Sequence, residues 1–509
     1  MGGREARHFV VDEPDRDRRI DHVDIAERGR LPLPPNDPDR AVLAQGPLEV
    51  VEPTEVSDRL GPVHDDVGVG RGDVTGPEVG HIGGALGEER PEDGVVHVGD
   101  RDPGAGPDAE LVEEGSRVHA FHRRYRATVT SDGPLLVFGP RSPTYDFGPG
   151  HPLTPLRFGP GIDLLQAVGA EPGLAPEPAP DEALLACHEP AYVATVRRLS
   201  LDPDGPEERG FGRYGDDPPF AGMHEAAASV AGGSLAAMLA ILEGRVEHAF
   251  HPGGGLHHAN RGNASGFCIY DDPALAIALA RSAGLRVLYV DLDVHHGDGV
   301  EAIHAADPGV LTVSFHESGR TLFPGTGGVG EAPWGFAPGT VVNVPFEAYT
   351  GETVWLDAVE AIVPRLAERF RPDVVVSQHG ADSHAWDPLA HLRVTTTAMG
   401  AAARIVDRVA HEHASGRWLA TGGGGYDVYR VVPRAWSLVW LAGAHRDAPE
   451  ETPVEWRERW ADDAERYGMP GMPERFEDAP NAGRDPESIQ LAAEELSRRT
   501  VARVLASIG

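Results

Sequence analysis

The sequence predicts an α/β protein with a mainly parallel sheet covered by helices on both faces. Three observations predict it. From about residue 134 onward, apolar runs of four to eight residues alternate with long amphipathic stretches. Strands that alternate with helices in this way form parallel pairs joined by crossover helices. The loops after the apolar runs are unusually rich in His, Asp and Gly, and in such sheets the loops at the carboxyl ends of strands carry the ligands.

Taken in order, residues 1–128 stand apart. They hold no Trp or Cys, no Met after Met1, and only Phe9, Phe121 and Tyr125 as aromatics. With no sustained period, such a segment buries too little apolar surface to offset its ordering entropy. It reads as a disordered extension, or as an artefact of start-site choice in high-GC DNA, with a start near Val129. The catalytic domain is expected over 129–447. Its strands are predicted at 135–138, 287–292, 310–315, 374–378 and 418–421. Its helices are predicted at 225–242, 273–283, 352–369, 398–413 and 433–444. Residues 448–509, with Trp456, Trp460 and Tyr467 and a helix at 486–508, read as a covering segment on the core.

Composition excludes several functions. The chain has 509 residues, a net charge of −35 and no lysine, so all 45 of its cations are arginines. A general nucleic-acid binder needs a basic face, and this composition does not supply one. Two cysteines, Cys187 and Cys268, make no disulfide framework and point to the cytoplasm. The N-terminus carries no apolar signal region. The most membrane-like run, 226–242, is built of small residues and reads as a buried helix of a soluble protein.

Four motifs carry chemistry. In the segment 289–299, alternation along a strand puts Asp291, Asp293 and His295 on one side. Buried polar groups at the end of an apolar strand are costly unless they bind something, and a metal ion explains them economically. In 378–389, Asp382 follows another apolar strand and completes a set of one His and two Asp. Such a set suits Zn2+ with an open position, and also Fe2+. In 252–259, His257 and His258 follow three glycines and suggest an acid/base pair. In 421–426, four glycines precede Tyr426. That turn either cradles phosphate or presents a phenol to a developing oxyanion.

Together these motifs resemble the zinc-dependent histone deacetylase superfamily, with its three-layer α/β/α arginase-like fold, and within it the bacterial acetoin-utilization deacetylases (AcuC type). The resemblance covers roughly residues 134–445. It implies Asp293, His295 and Asp382 as zinc ligands, His257 and His258 as the tandem histidines, and Asp291 and Asp298 as the carboxylates that orient them. Tyr426 is implied as the catalytic tyrosine. Gly266, Phe267 and Phe323 match the walls of the acyl-lysine tunnel, and Arg157 its inner end. Asp217 matches the rim aspartate, with a gap in the alignment. A monovalent cation, K+ or Na+, is implied at Asp291, Asp293, His295, Ser314 and Phe315.

The implied reaction is hydrolysis of an acetyl-lysine amide by water activated at zinc, with His258 as base. The implied substrate is an acetylated protein such as an acyl-CoA synthetase. Three rival readings differ from this one at single positions or in completeness. An arginase needs a second Asp at position 384, which is His384 here. An acetylpolyamine amidohydrolase would carry a Glu at the gate, where Leu389 stands. A metal-stabilised binding module would lack part of the constellation.

Overall fold

The apolar runs lie side by side because each carries two apolar faces. A computed structural model describes residues 133–333, 335–479 and 487–509; the expectation for residues 1–128 lies outside these. The strands are β1 (Leu135–Val137), β2 (Pro172–Leu174), β3 (His248–His251), β4 (Val287–Asp291), β5 (Val310–Glu317), β6 (Val341–Phe346), β7 (Val374–Gln378) and β8 (Trp418–Thr421). They form one sheet in the order β2-β1-β3-β8-β7-β4-β5-β6, and every neighbouring pair is parallel.

The helices are α1 (Phe158–Ala167), α2 (Asp181–Leu184), α3 (Pro190–Leu201), α4 (Met223–Leu242), α5 (Asp272–Ser282), α6 (Asp298–His304), α7 (Glu352–Phe370), α8 (Thr396–Ala414), α9 (Val432–Gly443), α10 (Val454–Arg466) and α11 (Glu487–Ile508). They cover both faces, and the period of two along the strands separates two cores. Leu288 and Val290 of β4 face the core shared with α1, α7, α8 and α9; Val287 and Tyr289 face the core shared with α4 and α5. Helix α4 is long and apolar enough to cross a membrane by composition, yet 89% of that window is buried here. It is a core helix, packed against β3 and α5.

Three strands escape the sequence reading. β2 and β6 are the two edges of the sheet and contain Pro172 and Pro345; an edge tolerates the missing donor. β3 reads His248-Ala249-Phe250-His251, too polar to register as an apolar run, yet all four residues are buried. In the tail, the Trp456 indole donates to the Pro160 carbonyl at 2.9 Å and the Trp460 indole to Asp163 at 3.0 Å. Both bonds tie α10 to α1.

The strand order positions the site. The chain passes from β3 through α5 to β4, while β8 and β7 fill the gap between them. Loops after β3, β8, β7 and β4 therefore meet at one crevice outside the carboxyl ends.

Candidate active site

The ladder of β4 ends at Asp291, one residue short of the predicted strand. The alternation nevertheless persists, because Leu292 and Val294 stay in the core. Asp293 and His295 therefore emerge together and meet Asp382, which follows β7. His295 Nδ1 lies 3.1 Å from Asp293 Oδ1 and 3.1 Å from Asp382 Oδ2. One donor atom from each residue falls within 4.8 Å of the others. Burial and the Asp293 carboxylate push Asp382 up to about 6. Burial opposes a charge on His295, but its two carboxylate neighbours outweigh that and hold it well above the ordinary range. These groups are packed more tightly than their charges favour, and a cation among them relieves the conflict. The cradle also leaves room for one. A Cβ on Gly424 would sit 1.8 Å from Asp382 Oδ2, so glycine is required there. The donor set fits a divalent metal.

The histidine pair sits on the loop after β3. His257 Nδ1 pairs with Asp291 Oδ2 at 2.7 Å, and Tyr289 donates its hydroxyl to the same oxygen at 2.8 Å. His258 Nδ1 pairs with Asp298 Oδ1 at 2.7 Å. The two imidazoles are driven apart electrostatically. For His257, burial opposes the charge, but Asp291 and Asp293 outweigh it and lift the group to about 10. For His258, burial and then the neighbouring His257 push it down to about 4. The opposed shifts favour charge on His257 and a neutral acceptor at His258, an arrangement that separates an electrostatic role from a base.

Tyr426 lines the same pocket as His257, His258, Asp293 and His295. Its backbone N–H donates to Asp387 at 2.8 Å, and Leu389, half-buried, donates to the other oxygen of Asp387 at 2.9 Å. Burial, Asp382 and Asp293 hold the phenol well above its usual range, so it stays a donor. Phe267 stands edge-on to Tyr426 with centroids 5.9 Å apart, and Phe323 edge-on to His258 at 5.0 Å. Gly266 lies between these walls at φ +54°, where a Cβ would come within 2.4 Å of His258 and 2.8 Å of Phe323. A second cavity lined by Arg157 shares Leu153 and Leu256 with the first. The Arg157 guanidinium donates to the Gly423 carbonyl at 2.7 Å and stacks over Trp436 at 5.5 Å; burial lowers it to about 10. Ser314 is the register partner of Asp291, with Phe315 next to it on β5, so three of the residues expected around a monovalent cation are adjacent.

Asp217, expected at the rim, accepts a hydrogen bond from the backbone N–H of Phe267 on the tunnel wall. It is 2% exposed, and a backbone bridge to Phe211 turns it inward. Burial and the neighbouring Asp216 raise it to about 8. The exposed carboxylate at this turn is Asp216, whose carbonyl meets His151 Nε2 at 3.1 Å.

With this geometry in view, comparison with known proteins is decisive. Residues 151–442, more than half of the chain, match the Histone deacetylase domain. The chain belongs to the histone deacetylase family. It is 39% identical over 375 residues to the acetoin utilization protein AcuC of Bacillus subtilis (strain 168), spanning 72% of this chain and 96% of that one. It is 36% identical over 355 residues to AcuC of Staphylococcus aureus (strain MSSA476), spanning 68% and 90%. A solved histone deacetylase homologue complexed with SAHA superposes with a TM-score of 0.62 at 26% identity, over 73% of this chain and all of the other. A homologue from Aquifex aeolicus shares the fold, with a TM-score of 0.61 at 24% identity. The chain is a hydrolytic deacetylase of a metal-dependent family, with the arginase-like fold.

Several residues that brace the site carry no obvious signal in sequence. Gln378 donates to Asp293 Oδ2 at 2.6 Å. Asp272 accepts from the backbone of Gly255 at 3.0 Å and of Leu256 at 2.9 Å, and so braces the histidine loop from below. Locally, Asp271-Asp272-Pro273 reads only as a helix start. Tyr145 donates to the Phe267 carbonyl at 2.9 Å and anchors one tunnel wall.

Proposed function

We propose that this deacetylase removes acetyl groups from lysine side chains of proteins, using Zn2+ held by Asp293, His295 and Asp382, in the cytoplasm. The observation that carries the reading is the gate. Gly266 and Phe267 line the pocket that holds the His–Asp–Tyr constellation, and Phe323 stands edge-on to His258, walls that suit a thin aliphatic chain ending in an amide. Leu389, which shares Asp387 with Tyr426, is apolar where a free polyamine would favour a carboxylate.

When bound, the ion supplies Lewis acidity toward the amide carbonyl and acidifies a water molecule. His258, oriented through Nδ1 by Asp298, takes the water proton and returns it to the leaving amine. His257, paired with Asp291, contributes fixed positive charge. The Tyr426 hydroxyl donates to the oxyanion. Arg157 receives the released acetate in the inner cavity. A monovalent cation, K+ or Na+, among Asp291, Asp293, His295, Ser314 and Phe315 would steady the strand ends. The kinship with acetoin utilization proteins supports a link to acetoin use, and the acetylated substrate of this proposal is an acyl-CoA synthetase. Every residue of this machinery lies beyond 132, so a chain starting at Val129 should match the full chain in kcat/KM.

The test sets an acetyl-lysine peptide beside acetylated spermidine, with and without chelator. We expect the peptide to be turned over faster, chelation to abolish turnover and Zn2+ to restore it. Faster turnover of the acetylated polyamine would replace this reading with that of a polyamine amidohydrolase.

A further inference from the structure

We propose that His248, Asp407, His411 and His445 form a second metal site, for a divalent ion of the zinc type, at the amino-terminal end of the sheet. The site is remote from the deacetylase centre along the strand. His248 is the first residue of β3, whereas the catalytic loop follows the last, His251. Asp407 and His411 stand one turn apart on α8, and His445 follows the end of α9.

Three imidazole Nε2 atoms and one carboxylate oxygen converge. His411 Nε2 lies 3.1 Å from His248 Nε2 and 3.1 Å from His445 Nε2. Asp407 Oδ1 lies 3.3 Å from His248 Nε2, 3.3 Å from His445 Nε2 and 3.6 Å from His411 Nε2. Four donors set about 2.0–2.1 Å from a common ion in a tetrahedron are separated by edges of about 3.3–3.4 Å. The observed separations bracket that value. A hydrogen-bond network is a poorer account, since each Nε2 to Nε2 contact can carry one proton at most and His411 Nε2 faces two nitrogens and a carboxylate.

The surroundings agree. His248 is buried against Trp418, with centroids 5.7 Å apart, while the His445 side chain is 55% exposed, so an ion can reach the donors from solvent. His445 adopts φ +53° just past the helix, where the Arg446 N–H closes on the Leu441 carbonyl at 3.0 Å. Glycine is the usual residue at such a position. A histidine is held there instead, with its ring in the cluster. Neutral imidazoles with one carboxylate suit Zn2+, and four protein donors make a closed, structural site. The ion would tie the start of β3 to the ends of α8 and α9.

The test uses the full chain, free of any histidine tag, loaded with ZnCl2 and passed into metal-free buffer. We expect roughly two equivalents of zinc per chain in the parent, and roughly one in Asp293→Ala and in His445→Ala. His445→Ala should keep kcat/KM within about twofold, and His445→Asn, which tolerates the same backbone conformation, should behave alike. Added Zn2+ should still raise Tm in Asp293→Ala, and Co2+ should still give tetrahedral d–d absorption there. A parent that holds one equivalent, or an Asp293→Ala chain that holds none, would overturn the proposal. So would a His445→Asn chain that retains as much zinc as the parent.

Discussion

Strand β3 runs between two clusters built from the same donors, histidine and aspartate, and set in opposite surroundings. At its carboxyl end the donors are buried and individually braced. Asp293 Oδ2 accepts from Gln378 at 2.6 Å and from the Gly424 backbone at 2.9 Å, and Asp382 Oδ1 accepts from the Val294 backbone at 3.0 Å. At its amino end, His248, Asp407, His411 and His445 lean chiefly on one another, and two of the four are exposed. The difference separates holding an ion from using one. Chemistry needs an open position and ligands oriented by their neighbours. A staple needs only four donors in the right place. The catalytic end also carries a pocket, a pair of histidines whose pKa values are pushed in opposite directions, and a phenol raised by burial.

The largest effect should come from removing a ligand at the carboxyl end. Asp293→Ala should lose the metal there and at least about 10³-fold in kcat/KM, since groups that act as a unit fail together. Metal analysis and a deacetylase assay check it, and near-normal activity would erase the distinction between the two ends. Tyr426→Phe comes next. It should lower kcat by ~10²–10³ with metal content unchanged, because it removes one oxyanion donor; a mutant with parental kcat would make the tyrosine a packing residue. Gln378→Ala touches only the bracing, and should weaken metal binding at the carboxyl end by about 10–100-fold. Competition with a chelator measures that, and zinc at the amino end should be unmoved.

The smallest effect concerns Asp217. Its carboxyl is raised to about 8 by burial and by Asp216, whereas an unfolded aspartate titrates near ~3.9. The folded chain therefore binds the extra proton between those values, and stability is lost as pH rises from about 4 to about 8. Asp217→Asn removes that titration. The Tm of the variant relative to the parent should climb across this window. Parallel Tm curves for the two proteins would mean the carboxyl is already charged in the fold.

Much of the catalytic end was legible because it is written locally. An apolar run followed by alternating Asp291, Asp293 and His295 states which side chains emerge together, since the period of a strand is two. His257-His258 after glycines and Tyr426 after glycines are equally compact signals. Local pattern could not show that Asp217 is buried and its neighbour Asp216 exposed, which depends on residues such as Phe211 and Phe267 brought against that turn. Nor could it find β3, where two histidines interrupt the apolar run and burial comes from partners elsewhere in the chain.

What the sequence determined by itself was therefore the alternation of strands and helices and the chemistry at individual strand ends, both set by near-neighbour residues. Only the tertiary structure decided which ends meet. Parallel pairing through crossovers places β3 beside β8, and so brings His248 next to residues 163 positions away at His411. A further 34 positions separate His411 from His445. No local period can encode such a meeting, because periodicity specifies the face a side chain occupies and not the element that comes to cover it.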